Sequence, residues 1–105
     1  MTQPVSGTFA AAGQSSSFKP VMRVMAWGEF NIFLSGTAVA TVELERSYNS
    51  GTTWHKVYAG GTQLYTWSYN SINLSETAEE PEPGVVYRLN CTAYTSGTVT
   101  YRISQ

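Results

Sequence analysis

The stretch from Val85 to Ser104 alternates apolar and polar residues with few interruptions, and that two-residue period constrains the chain more than any other feature. In 85–95, Val85, Tyr87, Leu89, Cys91 and Ala93 fall on one side, against Arg88, Asn90 and Thr92 on the other; in 98–104, Val99, Tyr101 and Ile103 repeat the pattern against Thr98, Thr100 and Arg102. A strand turns successive side chains to opposite faces, whereas an amphipathic helix needs apolar residues three and four apart. No stretch sustains that spacing for three turns. The intervening Thr95-Ser96-Gly97 is short enough to predict a hairpin between the last two strands.

Further segments follow the same rule. Phe30, Ile32 and Leu34 share a face, and within 38–46 Val42 and Leu44 point inward while Glu43 and Glu45 point outward as ordinary solvated residues. Weaker strands are expected over 5–11, 16–25 and 63–70; Pro20 puts the second at a sheet edge or a break, because proline removes a ladder donor. In 63–70, Tyr65, Trp67 and Tyr69 lie opposite Leu64, Thr66 and Ser68, and this aromatic face reads equally as core or as contact surface. The segment 76–84, ETAEEPEPG, gathers four of the seven acidic residues and two of the four prolines, and reads as an exposed loop that turns at Gly84. With turn residues every ten positions or so, the expectation is an all-β antiparallel β-sandwich of about eight strands, jelly-roll or immunoglobulin-like.

A chain of 105 residues builds one core. It divides into a possible N-terminal arm or edge strand over 1–17 and a single sandwich domain over 18–105. Charged residues make up 12%, half of the roughly 25% usual in soluble domains. Ser, Thr, Asn, Gln and Gly must therefore cover the surface, and such a surface strands few charges when a partner covers it. The six basic residues are scattered and the net charge is −1, which argues against nucleic acid as a partner. No apolar run is long enough to span a membrane as a helix, and MTQPVSGTFAAAGQSSS lacks the basic start and apolar block of a signal peptide, so mature sequence is expected.

Cys91, the single cysteine, excludes an internal disulfide and multi-cysteine metal sites, and reads as a buried small hydrophobe. Aspartate is absent and His55 is the lone histidine, expected at the surface; neither a catalytic triad nor a zinc site is legible. No cofactor is expected, and the chain reads as non-enzymatic.

Ser47-x-Asn49-x-Gly51-x-Thr53-Trp54 resembles the Asp-box of sialidases and related β-propellers, with Asn49 where that family has aspartate. Physically the spacing supplies a turn: Asn49 bonds its own downstream amides, Gly51 takes positive φ, and Trp54 packs back across. In the resembled enzymes the box is likewise structural. A sialidase would need several blades of roughly 40–50 residues and an arginine cluster, more than this chain holds.

Over nearly its full length the chain resembles small proteins of tailed bacteriophages and prophages, which carry a similar opening (PVSGTFAAAGQSSSF), a block V-x-LERSYNSGTTW and a close VVYRLNCTAYTSGTVTYRISQ. The resemblance implies a virion component: a head decoration or cement protein, or else a tail- or fibre-associated one. It implies a phage major capsid protein or other virion protein as partner, with a possible homotrimer, and assembly in the host cytoplasm. Candidate interface residues are Trp27, Tyr65, Trp67 and Tyr69. The rival expectation is a carbohydrate-binding module in which Trp27, Trp54, Trp67 and the tyrosines form a stacking platform; a small hydrolase built on His55 or a glutamate is the third.

Overall fold

The computed structural model describes residues 4–21, 28–71 and 73–105, and within these the side chain of Tyr69 is outside the description. Among the described residues there are eleven strands: β1 (Val5–Phe9), β2 (Gly13–Gln14), β3 (Glu29–Gly36), β4 (Val39–Ser47), β5 (His55–Lys56), β6 (Tyr58–Ala59), β7 (Thr62–Gln63), β8 (Thr66–Asn70), β9 (Asn73–Glu79), β10 (Val86–Ser96) and β11 (Val99–Ser104). One sheet runs β1-β11-β3-β9. A second runs β2-β10-β4, with β8 and β5 sharing the far edge of β4, and β6 and β7 pair as a small two-stranded sheet of their own. Every pairing is antiparallel.

When β5, β6 and β7 are set aside as an excursion between β4 and β8, eight strands remain, in the orders first-eighth-third-sixth and second-seventh-fourth-fifth. That is the wrapped order of a jelly roll, which separates it from the immunoglobulin-like alternative.

The order depends on strands that change sheet at their turns. The segment 95–97 does not make the expected hairpin: β10 and β11 lie in different sheets, as do β3 and β4. Each pair is an arch, and the two arches sit side by side, joined by β4–β10 and β3–β11 pairing and by the Thr37 amide donating to the Thr98 carbonyl at 3.1 Å. Glycine permits this close approach. A Cβ on Gly36 (φ 136°) would fall 2.0 Å from the Thr98 carbonyl oxygen, and one on Gly97 (φ 80°) would fall 2.7 Å from the Ala38 Cα. Loop length alone did not distinguish an arch from a hairpin, because both need a short glycine turn.

The core lies between the sheets. Ile32, Leu34, Val42, Leu44, Leu89, Val99 and Ile103 are fully buried, and Cys91 joins them at 1% exposure. Phe18, Phe30 and Tyr87 form a tilted aromatic run with centroids 5.6 and 4.7 Å apart, and Phe9 stacks on Tyr101 at 4.6 Å. Alternation fails at Ala93, which is exposed, because a bulge between Cys91 and Ala93 shifts the β10–β4 register.

The described part of the N-terminal segment is tied down. β1 is the edge strand beside β11 and β2 pairs with β10, so residues 5–9 and 13–14 are sheet rather than free arm. Of the expected 16–25 strand, Phe18 makes an isolated bridge to Tyr87, and 22–27 lie outside the described residues. The acidic segment is corrected in two ways. Glu76 and Glu79 belong to β9, paired with β3, and Glu80 is 2% exposed, so only 81–84 behave as the expected exposed loop.

Candidate functional site

The turn at 48–54 joins β4 to β5, with Arg46 opposite His55. Ser47 Oγ accepts from the amides of Gly51 (2.9 Å) and Asn49 (3.3 Å) and donates to Asn49 Oδ1 (2.7 Å). That oxygen in turn accepts from the Thr53 amide at 2.9 Å, while Asn49 Nδ2 donates to Thr53 Oγ1 at 3.2 Å. Ser50 and Gly51 take φ of 59° and 86°, and a Cβ on Gly51 would stand 3.3 Å from the Trp54 ring. Ser47, Asn49, Gly51, Thr53 and Trp54 are therefore parts of a self-bonded turn.

What the turn does next was not legible. It sets Trp54 under the Arg88 guanidinium, 4.4 Å from the ring centroid, and Arg88 donates to Glu45 at 2.7 Å. Glu45 also accepts from Asn90, which is bonded to Gln14 at 3.2 Å. A polar ladder thus crosses the outer face of the second sheet from β2 to the turn. It buries residues expected to be solvated: Glu43 is 6% and Glu45 8% exposed. Both do point away from the core, as alternation requires, but β4 is an interior strand and its outward side chains are roofed by its neighbours. Lys56 lies 3.8 Å from Glu43.

At one end of the sandwich the inward row of β4 terminates in Arg46, beside Tyr87 of β10. Arg46 donates through Nε (2.9 Å) and Nη2 to Glu80 Oε1, which also accepts from the Tyr87 hydroxyl at 2.7 Å; Glu80 Oε2 accepts from the Glu82 amide at 2.9 Å. Burial alone would push the Glu80 carboxyl up. The bonds from Tyr87, the Glu82 amide and Arg46 outweigh burial and hold it below the ordinary carboxylate range. Burial, and then the bond to Glu80, push the Tyr87 phenol well up.

Outside this cluster opens a cleft of about 620 Å³ between the 46–58 hairpin and the 79–82 segment. Its rim carries Tyr48 and Tyr58, 63% and 59% exposed, and its wall includes His55, Lys56 and Glu82. The His55 imidazole stacks on Tyr48 with centroids 5.5 Å apart and planes 9° from parallel. His55 is exposed, as expected.

Of the expected interface residues, Tyr65 and Trp67 are the two whose side chains are described, and they do not form an exposed surface. Trp67 is corrected to core: it faces inward beside Val42, is 5% exposed, and its indole Nε1 donates to Glu76 of the opposite sheet at 3.2 Å. Tyr65 is half-buried against it, with ring centroids 6.3 Å apart. Trp27 and the Tyr69 side chain lie outside the described residues. Trp54 and Trp67 sit on opposite faces of the second sheet, so the stacking platform expected of a carbohydrate-binding module does not form from that pair.

Sequence reasoning missed Arg46, Glu80, Tyr48 and Tyr58. One signal was available: an arginine at the inward parity of β4 needs a buried partner, and tyrosine at the matching parity of β10 marks where to look. Among the described residues no group of three or more His, Cys, Asp or Glu is arranged to hold a metal ion. Compared with family models, curated proteins and solved structures, the chain finds no significant match.

Proposed function

We propose that the protein is a non-enzymatic bacteriophage structural protein, a head decoration or cement protein that docks in many copies on the major capsid protein. The observation that carries this reading is the outer face of the β1-β11-β3-β9 sheet. There Phe33, 41% exposed, lies directly between Arg102 of β11 and Ser75 of β9, with Asn31, Thr77 and Thr100 on the same face and Ser6 and Thr8 farther out on β1. Among the described residues the charges on that face are Arg102, Glu29 and Glu79, so most of it loses water without stranding a charge. A bulky apolar side chain beside an arginine, with hydroxyls and amides around the pair, has the composition of an interface centre. The likeness to phage virion proteins supports the same reading, and jelly rolls are common in capsids.

As a cement protein it adds buried area across capsid subunit boundaries and stiffens the head. Specific attachment needs on the order of 1,000 Å² of buried surface, which this face and its rim are large enough to offer in a molecule of 40 × 28 × 24 Å. Trimers match the local threefold axes of a shell.

The test is add-back. Capsids lacking the protein, mixed with the purified chain, should take it up saturably and gain thermal stability, and Phe33→Arg should abolish uptake while leaving the fold intact. Failure of the wild-type chain to bind, with no change in capsid stability, would overturn the reading.

A further inference from the structure

We propose that the cleft between the 46–58 hairpin and the 79–82 segment is a binding site for a neutral oligosaccharide. Its volume of about 620 Å³ falls within the roughly 300–1,000 Å³ of small-molecule sites. Its rim offers what the carbon-bound hydrogens of a pyranose ring require, a fixed aromatic face. Tyr48 lies with one face on the His55 imidazole, nearly parallel, yet remains 63% exposed, so its other face is open. Tyr58 contributes a second exposed ring, and Val57 and Pro81 add apolar wall between polar groups. Stacked packing against His55 holds the Tyr48 ring before any ligand arrives, which lowers the ordering cost of binding.

The polar lining suits hydroxyl groups. Arg46 and Lys56 supply donors, Glu79 and Glu82 supply acceptors, and buried Glu80 and Tyr87 anchor the partly exposed Arg46 at the base of the cleft. Guanidinium and carboxylate groups each meet adjacent sugar hydroxyls with two parallel hydrogen bonds. Charge selects a neutral ligand. Arg46 and Lys56 are already ion-paired, to Glu80 and Glu43, and three glutamates line the cleft against those two cations. An anionic sugar would therefore meet no unpaired cation, and an apolar ligand would strand the carboxylates. This site is separate from the tryptophans that sequence offered as a platform and from the Phe33 face, so it stands independently of the capsid reading.

The experiment titrates the full-length chain with maltotriose, cellotriose and chitotriose at millimolar concentration and follows backbone amide NMR shifts, with a wider array of neutral glycans as a second probe. Saturable shifts confined to residues 46–58 and 79–87 are expected with at least one ligand. Tyr48→Ala and Tyr58→Ala should each weaken that binding by about tenfold, while Tyr48→Phe retains most of it because the stacking face survives. All three variants should still dock on capsids. No saturable response on the titration or the array, shifts located elsewhere, or tyrosine variants that lose capsid docking without any glycan response would overturn the proposal; the last would make the cleft a protein contact.

Discussion

Trp67 shows how a single residue changes role between pattern and packing. As a contact anchor it would tolerate truncation with its fold intact. As a buried ring bonded across the sheets to Glu76, Trp67→Ala should instead cost about 3–5 kcal/mol, read as a lowered urea midpoint, with Trp67→Phe recovering most of it. Asn49 is the converse case. Its side chain both accepts and donates within the turn, so Asn49→Ala should cost about 1–2 kcal/mol, whereas Asn49→Asp, which keeps the acceptor to the Thr53 amide, should be close to neutral in the same assay. Glu80 governs the acid limb of stability. Its folded carboxyl sits below the ordinary value of 4.5, so its contribution is complete above that pH and is lost as pH falls through the lower folded value. Tyr87 acts at the other end: its phenol is raised from 10.0, so its contribution is complete below that pH and fades as pH rises. Denaturation midpoints collected across the acidic range should fall steeply for the wild type. They should fall less steeply for Glu80→Gln, which is weaker at neutral pH by about 2–3 kcal/mol because it leaves Arg46 and Tyr87 without their carboxylate.

The paired arches are the elements on which the jelly roll turns, and they make the glycine positions unequal. Gly36→Ala and Gly97→Ala should each destabilise by about 3 kcal/mol or more, since each adds a steric overlap to an unfavourable φ. Gly60→Ala, at φ 60° with open space around it, should cost only about 1 kcal/mol. Thermal unfolding of the three variants separates backbone conformation from close approach. The same elements show what the sequence could reveal. β3, β4, β10 and β11 were readable because period-two alternation records which face is buried, whatever sheet the strand joins. Sheet membership was not readable, because partners such as Leu34 and Tyr101, or Leu44 and Leu89, are chosen by long-range register. The outward glutamates of β4 were read for direction but not for burial, since burial depends on Arg88, Asn90 and Trp54 arriving from other strands. In the turn at 47–54 the amide bonding of Asn49, the positive φ of Gly51 and the return of Trp54 were legible because they are local, while the central acceptor role of Ser47 was not read. The cleft was not, because its two walls lie more than twenty residues apart in the chain.

At the scale of the whole molecule, two surfaces carry the proposals: a sheet face with few charges around Phe33, proposed for docking, and an aromatic cleft at one end, proposed for a sugar. The central claim is that this jelly roll is built to sit on a shell. Cryo-electron microscopy of the assembled phage particle tests that most directly. The expected map shows symmetry-related copies of the sandwich over capsid subunit boundaries, with the β1-β11-β3-β9 face against the shell. A particle that carries no copy of the chain on its head would contradict the account.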